Sequence, residues 1–190
     1  MIYPDLSPLV KGILKRNKHI YLCTNGMFIK KRLHELRPTP RFFFNVHLDG
    51  LEKTHDIAVE RDGVFQDAIE GIKAAKKAGF LVCTNTTVYK ETDMAEIDAL
   101  YGYLTQLGVD GFMLIPSLIY VADAREAMQS IRTMAEAAQK PCMIYNNPVA
   151  YRVDLKTEHM VELADCTWLV AIKESSDDGR RLTDLRNALG

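Results

Sequence analysis

The sequence lacks a strong charge of either sign. Its 24 Lys and Arg stand against 25 Asp and Glu, a net charge of −1. Bulk electrostatics therefore argue for neither nucleic acid nor an anionic membrane as partner. No apolar run approaches the ~18 residues that a spanning helix requires, and the N-terminus has no signal-peptide layout. Cysteine is scarce and scattered: Cys23, Cys83, Cys142 and Cys166 form no CxxC pair and no three-cysteine cluster. That spacing excludes the common cysteine metal sites. It is read as buried, reduced thiols in a cytoplasmic protein. Nor does any linker or low-complexity segment divide the 190 residues, so one domain, 1–190, is expected, long enough to bury a core.

What is present is a repeat of short apolar runs, each followed by a longer amphipathic stretch. The runs are His19–Cys23, Phe42–Val46, Phe80–Cys83, Phe112–Ile115, Cys142–Tyr145 and Trp168–Ile172. They are rich in β-branched and aromatic residues and do not alternate, which predicts parallel strands buried on both faces. Their centres lie ~25–35 residues apart, the length of a βα unit. Between them, Val64, Ala68, Ile72 and Ala75 form one helical stripe that Gly79 ends. Asp93 with Glu96, and Asp123 with Glu126, have capping-box spacing.

Six βα units with a leading helix predict an α/β fold: a partial TIM-type (βα) barrel of about six parallel strands with outer helices. A full barrel takes ~250 residues and rarely fewer than ~200. Met1-Ile2-Tyr3-Pro4 begins close to a helix start, so an upstream piece is expected. In such folds function lies where strands end and βα loops begin. Those ends read Thr24-Asn25-Gly26, His47-Leu48-Asp49-Gly50, Thr84-Asn85-Thr86-Thr87, Pro116-Ser117, Tyr145-Asn146-Asn147-Pro148 and Lys173-Glu174-Ser175-Ser176.

The first half carries Tyr3-Pro4-Asp5-Leu6, then Ile20–Gly26, then Val46-His47-Leu48-Asp49-Gly50-Leu51-Glu52-Lys53-Thr54-His55-Asp56. Asp62–Phe65 and Ile72–Phe80 follow. As a set, residues 3 to about 108 resemble the middle of the radical S-adenosylmethionine superfamily, its hopanoid-biosynthesis branch in particular. The resemblance implies Asn25, Asp49 and Asn85 as side chains toward the cofactor's ribose and methionine. It also implies a [4Fe–4S] cluster held by three cysteines in a loop upstream of the matched segment. Those ligands are absent from this sequence, so no cofactor is expected. His47 and His55, eight residues apart, are expected to orient the loop or face solvent rather than bind metal.

The second half carries Asp110–Pro116, Met143-Ile144-Tyr145-Asn146-Asn147-Pro148 and Val170-Ala171-Ile172-Lys173-Glu174-Ser175-Ser176. Residues from about 109 to 190 resemble the dihydrodipicolinate synthase and N-acetylneuraminate lyase family. Lys173 ends an apolar strand, where desolvation disfavours an ammonium and frees an amine to attack a ketone. Tyr145, on the preceding strand end, would pass protons. The alternative is a strand-end lysine paired with Glu174 or Asp177.

Three features depart from that family. Its threonine-bearing second strand has no counterpart; Thr86 and Thr87 offer a threonine pair on a strand of the other family. Ala150 stands where the synthase has its substrate-gripping arginine, with Arg152 two residues on. The last two strands are expected to be missing after Gly190.

The segments 1–108 and 109–190 would meet at Leu107-Gly108-Val109-Asp110-Gly111, a helix end, turn and strand start common to both families. The expectation is a chimeric or truncated barrel scaffold without efficient native activity. Any chemistry would be that of a lysine Schiff-base lyase on a 2-keto acid such as pyruvate. The alternative is a radical-enzyme fragment that retains part of the S-adenosylmethionine site. Open sheet edges predict a homo-oligomer.

Overall fold

The computed structural model describes residues 1–89, 92–116 and 122–190. The chain divides into two compact units that interleave in sequence. Unit 1 comprises residues 1–85 and 102–110, and unit 2 comprises residues 86–101 and 111–190.

Unit 1 begins with α1 (Leu6–Lys15), which buries Leu6 and Val10. Three parallel strands follow: β1 (Ile20–Thr24), β2 (Phe42–His47) and β3 (Leu81–Asn85), with Leu22 opposite Phe44 and Phe44 opposite Val82. Between β1 and β2 lie α2 (Ile29–Arg32) and a 3₁₀ turn, Leu33–Glu35. Between β2 and β3 lie α3 (Glu52–Ala58) and α4 (Val64–Lys77). The stripe read from the sequence is the buried face of α4, extended by Phe65, Ile69 and Gly71. Phe42, Phe44 and Phe80 form the aromatic centre of this core, with ring centroids 4.9–5.8 Å apart. Each such ring stabilises by about 1.5–3 kcal/mol on burial.

Two glycines allow α4 to lie close to the end of β1. Gly26 has φ +85°, and a Cβ there would meet Ala68 Cα at 2.7 Å. A Cβ on Gly71 would meet the Gly26 carbonyl oxygen at 2.8 Å. No larger residue fits either position without moving backbone.

Unit 2 contains β4 (Gly111–Leu114), β5 (Cys142–Asn146) and β6 (Leu169–Glu174), again parallel, with a register shift at Cys142/Met143. Its helices are α6 (Ala124–Ala138), α7 (Pro148–Tyr151), α8 (Thr157–Leu163) and α9 (Arg180–Leu189). The capping box opens α6: Asp123 Oδ1 accepts from the Glu126 amide at 2.8 Å, and Glu126 Oε2 accepts from the Asp123 amide at 3.3 Å. The remaining helix, α5 (Met94–Gln106), belongs to unit 2 as far as Tyr101 and to unit 1 from Gly102. At its start the Asp93 carboxylate accepts from the Ala95 amide at 2.9 Å, and the Asp93 carbonyl accepts from the Glu96 amide at 3.1 Å.

Two expectations need correction. Burial on both faces holds for β4, whose four residues are all buried, but not for β1 or β6. Tyr21 and Cys23 of β1 are exposed, and Val170 of β6 is 64% exposed. In these two strands apolar sequence alone did not secure burial. Consequently Cys23 is an exposed thiol, while Cys83, Cys142 and Cys166 are buried; among the described residues none of the four is in a disulfide.

Candidate functional site

In unit 2 the parallel register of β5 and β6 sets Tyr145 directly opposite Lys173. The Lys173 Nζ lies 3.8 Å above the centre of the Tyr145 ring. Lys173 thus stacks on the phenol, and among the described residues it forms no ion pair with Glu174 or Asp177. Tyr151 of α7 meets the same ring edge-on at 5.5 Å. Burial, with Tyr145 beside it, pushes the Tyr151 phenol above its usual value.

Asn147 completes the arrangement and was not singled out by sequence reasoning. Its Nδ2 donates to the Tyr145 hydroxyl at 2.9 Å, while its Oδ1 caps α7 by accepting from the Ala150 amide at 3.2 Å. Because Oδ1 is used by the cap, the amide group presents N–H to the phenol. The Tyr145 oxygen therefore accepts, and its own proton points elsewhere. The signal in the sequence was an Asn before Pro148, a helix N-cap pattern whose second hydrogen bond only the fold reveals.

Beneath this pair lies a buried polar clamp. Asn146 is fully buried; its Nδ2 donates to Asp154 at 3.1 Å and to Glu174 at 3.0 Å, and its Oδ1 accepts from the Leu155 amide at 3.1 Å. Arg181 of α9 grips Asp154 through both terminal nitrogens at 2.9 Å, which holds that carboxyl below its usual range. Glu174 also accepts from the Ser176 amide at 2.8 Å. The clamp fixes the ends of β5 and β6, and so the Tyr145–Lys173 spacing. Arg152 is exposed at the end of α7, with φ +59°.

Unit 1 gathers a second polar group at the ends of β2 and β3. Asp49 sits 2.8 Å from His47 Nε2, and Asn85 Nδ2 sits 2.7 Å from His47 Nδ1. Asn45 donates to Asn85 Oδ1 at 3.0 Å. An amide donor at Nδ1 makes Nε2 the protonated nitrogen, donating to Asp49. His55 is fully buried and its Nδ1 accepts from the Asp49 amide at 3.1 Å; burial pulls its pKa below the usual value. Both histidines thus hold the loop after β2.

Asp49 and Asn85 are brought together through His47. Asn25 is exposed, and its amide meets the Met27 sulfur at 3.2 Å. Thr86 and Thr87 are buried and belong to unit 2, where Thr86 lies beside the phenol of Tyr101. Ser117, in the strand end Pro116-Ser117, lies outside the described residues.

Comparison with known proteins finds two families along the chain. Residues 1–104 match the family model of the radical SAM superfamily, and residues 92–190 match that of the dihydrodipicolinate synthetase family. The chain belongs to both families. The two matches overlap over 92–104, which takes in most of α5, slightly ahead of the join expected at Gly108. The GTP 3',8-cyclase of Campylobacter fetus is 31% identical over 94 residues, 50% of this chain and 29% of that protein. The 4-hydroxy-tetrahydrodipicolinate synthase of Desulforudis audaxviator is 34% identical over 84 residues, 44% of this chain and 29% of that protein.

Among solved structures, the 4-hydroxy-tetrahydrodipicolinate synthase of Methylacidiphilum fumariolicum SolV covers 91% of the chain with a TM-score of 0.66 at 17% identity. That likeness establishes the TIM-barrel type of fold expected from the six βα units. The chain spans 29% of the length of these two curated relatives and 59% of the solved synthase.

The radical SAM superfamily implies an iron–sulfur cluster, and the cysteines present do not fit one. Cys23 lies on β1, Cys83 on β3, Cys142 on β5 and Cys166 after α8. Among the described residues no three metal-ligating side chains converge.

Proposed function

We propose that the chain is a chimeric βα scaffold without efficient native activity, whose remaining chemistry is carbonyl capture at Lys173. The observation that carries this reading is the Lys173–Tyr145 pair, held in register by β5 and β6. The Lys173 amine adds to the ketone carbon of a 2-keto acid such as pyruvate, giving a carbinolamine. The Tyr145 hydroxyl donates a proton to the departing oxygen, water leaves, and a C=N bond forms.

Two features support low turnover. Ala150 occupies the position of the synthase's arginine, and Arg152 is exposed. The outer face of β6 is also open to water, which returns the imine to ketone and amine. The experiment is borohydride trapping: incubate with pyruvate, reduce, and locate the adduct by mass spectrometry. An adduct at Lys173 supports the reading, and its absence from folded protein removes it.

A second reading assigns S-adenosylmethionine binding, without radical chemistry, to unit 1. The observation in its favour is that Asp49 and Asn85 share one network. A flat calorimetric titration with S-adenosylmethionine would end it.

Self-association through open strand edges belongs to the same proposal. Trp168, Val170 and Leu189 are exposed apolar groups on or beside β6, an unpaired edge that invites another copy. A cytoplasmic location fits four cysteines outside disulfides among the described residues. Among the described residues no helix is long and apolar enough to cross a membrane.

A further inference from the structure

The near-neutral total charge conceals a strong asymmetry. Residues 1–41 hold nine Lys and Arg against two Asp and Glu, a net +7, which leaves −8 on residues 42–190. Part of this positive charge lines a groove of about 540 Å³ in unit 1, between α1 and the 3₁₀ turn. Lys11, Lys15, His34 and Arg37 stand on its rim and are exposed. Val10, Leu14 and Leu36 form an apolar floor.

The groove contains a single acidic side chain, Glu35, and that carboxylate is already taken. Arg32 binds it in a fork at 2.7 and 2.6 Å, which holds it below its usual range. Arg32 also reaches the Tyr3 carbonyl at 2.7 Å, and Ser7 donates to the Glu35 carbonyl at 2.8 Å, so the walls are fixed. Among the described residues Lys11, Lys15 and Arg37 form no ion pair. Lys11 and Lys15 stand four apart on α1, where like charges repel. The helix C-terminus accounts for Lys15 but not for Arg37.

We propose that this groove docks an acidic amphipathic peptide segment of a partner protein. Carboxylates one helical turn apart would meet Lys11 and Lys15, another would meet Arg37, and an apolar side chain between them would cover Leu14 and Leu36. The chemistry favours a peptide over single-stranded nucleic acid. No Phe, Tyr or Trp lines the groove, and the lone His34 ring makes no run of stacking platforms for successive bases. A phosphodiester chain would also leave the apolar floor uncovered.

The test uses the full chain and a fluorescein-labelled Glu/Leu amphipathic peptide, followed by fluorescence anisotropy. The controls are a poly-Glu peptide of equal length and single-stranded oligo-dT. Saturable binding is expected, weakened about tenfold between roughly 50 and 500 mM salt as the Debye length contracts. Poly-Glu should bind more weakly, having nothing for the floor. The triple variant K11E/K15E/R37E should lose binding at least tenfold, and L14S severalfold, with circular dichroism unchanged. The control variant K18E/K31E, exposed basic residues outside the groove, should retain it.

Four results would overturn the proposal. One is no binding, and another is equal loss in both charge variants. A third is oligo-dT binding tighter than the peptide. The fourth is salt-sensitive self-association that the peptide displaces, which would assign the groove to a second copy.

Discussion

Replacing Asp110 with alanine removes two contacts at the point where the chain passes from unit 1 to unit 2. The Asp110 carboxylate lies 2.6 Å from Lys76 Nζ on α4 and accepts from the Val82 amide of β3 at 2.7 Å. Its side chain is 30% exposed and that of Lys76 23%, so the ion pair itself stabilises by only about 0.5–1 kcal/mol. The larger loss is the charge-assisted bond to Val82, a fully buried residue, at about 1.5–3 kcal/mol.

Asp110→Ala is therefore expected to cost about 2–4 kcal/mol, or roughly 4–16 °C in Tm for a chain of this size. Asp110→Asn keeps an oxygen for the Val82 amide and loses only the charge, so about 1 kcal/mol is expected. Urea unfolding followed by circular dichroism measures both, with the m-value unchanged. The reasoning fails if alanine costs under about 0.5 kcal/mol, or if asparagine costs as much as alanine.

Three further outcomes are expected. Iodoacetamide at mildly alkaline pH should label Cys23 alone in the native protein, because burial, with Asp110 nearby, pushes the Cys83 thiol to about 12 and Cys142 and Cys166 are buried; rapid labelling of a second cysteine would contradict this. Stability should fall as pH drops below about 6.5, because the unfolded chain binds the proton that buried His55 refuses, and lower still as Asp56, held below its usual range by the Phe65 amide, is protonated. His55→Asn should flatten the first part of that fall, and an unchanged slope would exclude His55 as its cause. Gly71→Ala should destabilise by about 1–3 kcal/mol, since its Cβ meets the Gly26 carbonyl and Ile29; a neutral effect in thermal melts would show that the helix can move away.

Much of the fold was legible in the sequence. Each of the six apolar runs lies within a residue or two of an observed strand, because β-branched and aromatic residues bounded by turn residues leave few alternatives. The stripe on α4 and the box at Asp123 follow from periodicity and spacing alone. The uneven burial of β1 and β6 was not legible. Tyr21 and Val170 read as core residues, and their exposure depends on which neighbours cover a strand, a property of the assembled unit.

Of the candidate site, the opposition of Tyr145 and Lys173 follows from register, which strand-end counting anticipated. The hold of Asn147 on the Tyr145 hydroxyl and the clamp from Arg181 to Asn146 were hidden. Each depends on a side chain whose partner lies on another element or is chosen by a local cap. In unit 1, the sequence grouped Asn25 with Asp49 and Asn85, whereas His47 links only the latter two.

The central claim is that the scaffold keeps the carbonyl-capturing lysine of one parent family. Borohydride reduction in the presence of pyruvate, followed by peptide mass spectrometry, tests it most directly. The account predicts a single reduced adduct on the peptide containing Lys173, abolished in Lys173→Met and slowed in Tyr145→Phe. Adducts spread over exposed lysines, or an equal yield in Lys173→Met, would contradict it.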